Sequence, residues 1–218
     1  MPVPGYTPPQ GYHEVYYLTI TDRDKLLWLN MLSIALLLPF IGLMWWWSQV
    51  VDGLRSTVES GLQSVPDVVW WLGVILVFPL HEWIHGLAIQ WAGHKPRYGA
   101  KFVQIARLKL PYVLFATADG VFFRRGQFIV IALAPVVVIT LAGMMLLYFL
   151  PGFLWNYVIV AVVLNGSGAI GDIWMTVMAL RYSSRSLVLD LEDSIRIYEF
   201  SGSDVGNSTQ NIDPPSSG

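Results

Sequence analysis

Four long apolar blocks dominate the chain, and polar stretches separate them. The first runs from Leu26 to Trp47 without a charge. The second, Val68 to Trp91, is interrupted by His81, Glu82 and His85. The third, Gln127 to Leu150, is again free of charge, and the fourth, Tyr157 to Leu180, contains Asn165 and Asp172. Each block reaches the roughly 20 residues that a helix needs to cross the apolar core of a bilayer. The pattern predicts an all-α integral membrane protein of four transmembrane helices, with spans at 26–47, 68–91, 127–150 and 157–180. Small β elements are expected in the polar parts. Glu14 to Ile20 and Ser186 to Glu192 read as strands, and Pro111 to Phe123 reads as a hairpin turning at Asp119-Gly120.

These readings divide the chain into an N-terminal segment, 1–25, a membrane domain, 26–180, and a strand-like segment, 181–200. A long loop, 92–126, interrupts the membrane domain, and a Gly/Ser/Asn/Pro-rich tail, 201–218, is expected to be disordered. Lys and Arg set the expected orientation. Twelve of the 13 lie before span one, between spans two and three, or after span four, and Arg55 alone lies on the other side. The positive-inside rule then puts both termini and the long loop, hairpin included, in the cytoplasm of a multi-pass plasma-membrane protein. Composition agrees: 55% of residues are hydrophobic and 13% charged, against roughly 25% charged in a soluble domain. A net charge of −2 gives no reason to expect a nucleic-acid partner. The absence of cysteine excludes thiolate metal sites and a cysteine nucleophile.

Candidate chemistry sits inside the apolar blocks, where ionisable groups cost roughly 2.5 kcal/mol or more each. His81-Glu82-Trp83-Ile84-His85 is an H-E-x-x-H string on a helix, so both imidazoles share one face and can bind one zinc ion. Glu82 is then placed to accept a proton from a water that the metal activates. A catalytic zinc needs a third protein ligand. The position six residues after His85 is Trp91, and no Glu occurs between Glu82 and Glu192. His94 lies beyond span two, Asp119 lies in an expected turn, and Asp172 is the other acid within a span. Spans two and four run in the same direction. His81 and Asp172 stand ~20 Å and ~22 Å from the starts of their spans at 1.5 Å per residue, so they lie at matching depth. Asn165 is seven residues before Asp172 on the same helix face, a candidate substrate or oxyanion contact or an interhelical hydrogen bond. The small residues around it, Gly166 to Gly171, suggest the surface that packs on span two.

H-E-x-x-H on one span and an aspartate on a later one resemble the site-2 protease class of intramembrane metalloproteases. Leu133-Ala134-Pro135 on span three is similar to the Ala-Gly-Pro element of that class. The strand-like start, TDRDKLLWLN, HEWIHG and the N…GD segment together resemble the zincin peptidase membrane family. The resemblance implies that His81, His85 and Asp172 bind Zn2+ and that Glu82 is general base and acid. It also implies peptide-bond hydrolysis in or near the spans of membrane-protein substrates. Two alternatives stay open at this point: a non-catalytic metal-binding adaptor or pseudoprotease, and a metal transporter. The single local cluster of polar residues speaks against the transporter.

Overall fold

The structure, a computed structural model, describes residues 6–19, 23–54, 67–105, 108–191 and 194–201. In chain order the elements are β1 (Tyr12–Thr19), α1 (Arg23–Leu54), α2 (Asp67–Trp91), β2 (Arg97–Ile105), β3 (Leu108–Thr117) and β4 (Phe122–Arg124). There follow α3 (Arg125–Phe149), a short 3-10 turn (Gly152–Leu154), α4 (Trp155–Gly168), α5 (Ile170–Leu180), β5 (Leu187–Leu191) and β6 (Ser194–Phe200). The described residues are thus mostly helical, with two small antiparallel sheets. The tail expected to be disordered lies outside the described residues, apart from Ser201.

Among the described residues two helices, Leu27–Leu54 and Arg125–Phe149, are long and apolar enough to cross a membrane. The pair Gly152–Gly168 and Ile170–Leu180 adds a third if it forms one span. In the most apolar stretch of α1 only 6% of residues are buried. Trp28, Ile34, Leu38 and Trp45 all face outward. A helix that exposes its apolar side chains so fully needs an apolar surrounding, and this fits association with a membrane.

The four-stranded sheet has the order β1-β6-β5-β4 and joins the two ends of the described chain. Glu14 of β1 accepts from Arg196 of β6 at 2.6 Å across that seam. The sheet buries Leu18, Phe123, Val188, Ile195 and Ile197 against Ala88 and Ile89 of α2, Phe128, Ile131 and Ala132 of α3, and Ala179 of α5. Truncating Phe123, which is 1% exposed, to alanine is expected to cost about 3–5 kcal/mol. A second apolar cluster joins Met44 of α1, Ile84 of α2, Ile139 and Leu147 of α3, and Val162 of α4.

Three expectations change. First, Asp119-Gly120 makes a turn, with Gly120 at φ 70°, but does not close a hairpin. Beyond it β4 pairs with β5, while β3 pairs antiparallel with β2 in a sheet of its own. The segment β2 offers β3 a full-length ladder, and α3 begins at Arg125 and limits β4 to three residues. Second, the fourth apolar block is not one straight helix. It bends by 43° at Ala169, after Gly166 and Gly168, which are poor helix formers. Third, the small residues do not form one packing face against α2. A Cβ on Gly166 would meet the ring of Phe40 from α1, whereas Gly168 and Gly171 have open space beside them.

Candidate metal centre

The helix α2 carries the H-E-x-x-H string on its last three turns and stops cleanly after it. Gly93 takes φ 88°, and His94 N–H returns to the Ile89 carbonyl at 3.1 Å. That left-handed glycine cap satisfies the end of the helix and turns the chain into β2. Gly86, directly after His85, is where β2 comes closest. The Tyr98 hydroxyl occupies the place that a Gly86 side chain would need. A bare backbone at this position therefore lets the β2–β3 hairpin lie against the helix.

His81 and His85 are one helical turn apart, and their Nε2 atoms stand 3.1 Å from each other. The bend at Ala169 brings Asp172, in the first turn of α5, beside them. Its Oδ2 lies 3.2 Å from His81 Nε2 and 3.6 Å from His85 Nε2. These three residues form a group whose donor atoms could hold one metal ion. The other candidates lie elsewhere. The His94 ring packs edge-on against Phe123, and Asp119 pairs with Arg97 at 2.8 Å.

Neighbours fix the direction of each imidazole. His85 Nδ1–H donates to the Ile131 carbonyl of α3 at 2.8 Å. His81 Nδ1–H donates to Asn165 Oδ1 of α4, also at 2.8 Å. The Asn165 side chain is buried, and its amide nitrogen faces the Pro135 carbonyl at 3.4 Å. Asn165 and Asp172 thus both reach His81, one from each side of the bend at Ala169. With both Nδ1 atoms committed to oxygen acceptors, each Nε2 presents a lone pair. Two lone pairs and a carboxylate oxygen at these distances repel one another unless a proton or a cation lies among them. The spacing suits a metal: tetrahedral zinc, with bonds of about 2.0–2.1 Å, separates its ligand atoms by about 3.3–3.4 Å. Second-neighbour hydrogen bonds of this kind are what orient imidazole ligands in zinc sites.

Two cavities flank the cluster. The smaller, about 260 Å³, lies toward the sheets, and its walls include Glu82, Ala116, Thr117, Asp172, Asp190 and Ser194. The larger, about 670 Å³, lies toward the apolar end of α2 and is bounded by Ile75, Val77, Phe78, Leu114 and Leu164. His81, Glu82, Leu114 and Gly168 border both. Glu82 faces this shared wall, and the Ala116 backbone N–H donates to its carboxylate. Gly168 and Gly171, with no side chains, leave the space open.

Asp190 on β5 was not singled out from the sequence. The one available signal was the alternation in SLVLDLE, which puts Asp190 on the same strand face as the buried Val188. Burial raises its carboxyl pKa to about 7; the charges of Asp172 and Glu82 add to that, and His85 opposes it.

Two histidines on one helix and a carboxylate on another thus converge beside a glutamate and an open cleft, a group that could hold a metal ion in a mostly helical protein whose longest helices are apolar enough to cross a membrane. The chain belongs to the family described as "Putative zincin peptidase", whose model matches residues 74–187. That range contains His81, Glu82, His85, Asn165 and Asp172. Membership points to a zinc metallopeptidase. Comparison with curated proteins and with solved structures finds no match.

Proposed function

We propose that this protein is a membrane-embedded zinc metallopeptidase of site-2 type, which hydrolyses peptide bonds in or near the spans of other membrane proteins. The observation that carries the proposal is the convergence of His81 Nε2, His85 Nε2 and Asp172 Oδ2 within 3.1–3.6 Å, next to Glu82. In this account those three residues hold zinc, and Asn165 and the Ile131 carbonyl keep the two rings aimed. Zinc, when bound, polarises the scissile carbonyl and makes water a stronger nucleophile at neutral pH. Glu82 takes the proton from the attacking water and passes it to the leaving amine. Ala116 N–H holds the Glu82 carboxylate in the wall shared by the two cavities. Among the described strands β3 pairs with β2 alone, so its other edge offers backbone groups to an unwound substrate segment.

The same account makes α2 a fourth span beside the two long helices and the bent pair. Both termini then lie on the cytoplasmic side of the plasma membrane, as the distribution of Lys and Arg suggests. The test uses purified protein in lipid nanodiscs with a fluorescent Leu/Ala-rich span peptide. Wild type is expected to cleave it, and Glu82→Gln is expected to keep its zinc and lose cleavage by about 100-fold or more. Equal cleavage by the two proteins would overturn the proposal.

A further inference from the structure

The two cavities differ in chemistry on either side of Glu82. The larger is walled mainly by apolar side chains of α2 and α4 together with Leu114. The smaller contains an acid, Asp190, that the zinc-binding account does not use. Asp190 stands on the β5 face that elsewhere packs into the apolar core, next to Val188. An acid costs stability there unless something compensates it. It also lies beyond residue 187, outside the range that the family model matches. The strand β4 ends its pairing at Leu189, so β5 continues past its neighbour at Asp190 and Leu191. Thr117 at the end of β3 donates through its hydroxyl to the Asp190 carbonyl at 3.2 Å and ties this corner to the strand that borders both cavities.

An extended segment passing Glu82 along β3 would therefore place neighbouring residues in unlike surroundings. Leu114 borders both cavities, while Thr117 and Asp190 border only the smaller. We infer that Asp190 is the acidic wall of a charge-selective subsite, so that the cleft takes a bulky apolar residue on one side of the reacting bond and a lysine or arginine on the other. This rests on the proposed peptidase function and names its substrate class: the end of an apolar span where basic residues begin. Membrane spans commonly carry such basic residues at their cytoplasmic end. A cationic side chain entering the smaller cavity would itself favour the ionised form of Asp190 and pair with it where little water competes, the situation in which a charge pair discriminates strongly.

The experiment measures binding apart from cleavage. Zinc-loaded Glu82→Gln protein in nanodiscs is titrated with three fluorescent Leu/Ala-rich span peptides that differ only in a Lys-Lys, Ala-Ala or Glu-Glu flank. Preference for Lys-Lys over Ala-Ala is expected to be about tenfold. Adding Asp190→Asn is expected to bring that ratio near one, and adding Asp190→Lys is expected to favour Glu-Glu. Zinc content and melting temperature are followed in each protein, and Thr117→Val gives a milder second perturbation that should lower the ratio part of the way. An unchanged Lys-Lys preference in folded Asp190→Asn and Asp190→Lys proteins overturns the inference, as does the absence of any preference in the starting protein. Failure of the peptidase proposal shows separately, as an absence of cleavage by wild type of peptides that it binds.

Discussion

Replacing Asn165 with alanine removes the oxygen to which His81 Nδ1–H donates at 2.8 Å. It leaves that N–H without a partner in a half-buried site, and the ring is then free to turn or to change tautomer. Losing the hydrogen bond with its donor left unsatisfied costs about 1–3 kcal/mol in stability. For the metal, removing the group that orients a histidine ligand typically weakens binding by about 10–100-fold, or about 1.4–2.7 kcal/mol. Asn165→Asp keeps an oxygen acceptor for His81 and should restore most of the affinity, although it loses the amide nitrogen that faces the Pro135 carbonyl at 3.4 Å. The assay is competitive titration of zinc against a chelator in detergent, with thermal unfolding of the metal-free protein followed in parallel. A drop in melting temperature with zinc affinity unchanged within twofold would refute this reasoning, because Asn165 would then serve helix packing alone.

Gly86→Ala is expected to push Tyr98, and with it the β2–β3 hairpin, away from α2, at a stability cost of about 1–3 kcal/mol. The double variant with Tyr98→Ala should recover part of this, and thermal unfolding of both proteins checks the coupling. Asp190 gives a pH signature in the metal-free protein. Its carboxyl is raised from 3.8 to about 7, so the folded state holds a proton there that the unfolded state has released, and stability falls as pH rises across that window. Asp190→Asn should flatten the fall, and melting temperatures from pH 5 to 8 in wild type and variant would reveal it.

The convergence of His81, His85 and Asp172 was legible because helices impose a short, fixed period. His81 and His85 share a face by their spacing, Asn165 and Asp172 by theirs, and matching depth joined the two helices before any contact was known. The bend at Ala169 replaces the single straight face, yet both residues reach His81 from either side of it. The sheets were harder to read. The strands at Glu14–Ile20 and Ser186–Glu192 were foreseen, close to the observed β1 and β5, but their partners were not. The strand β1 finds β6 across almost the whole chain, and no local signal specifies such pairing. The turn at Asp119-Gly120 is real, yet it leads from one sheet to another, and β2 rather than β4 became the partner of β3. Asp190 escaped notice for the same reason. Its proximity to the cluster comes from strands that meet only in three dimensions.

The central claim is that His81, His85 and Asp172 together hold zinc. Zinc content by mass spectrometry, combined with zinc-edge X-ray absorption on the purified protein, tests it most directly. The account predicts one tightly held zinc per chain, with two imidazole nitrogens and carboxylate oxygen at about 2.0–2.2 Å, lost in His81→Ala, His85→Ala and Asp172→Ala but kept in Glu82→Gln. Wild-type protein without zinc, or an Asp172→Ala protein with wild-type zinc content and an unchanged absorption spectrum, would contradict it.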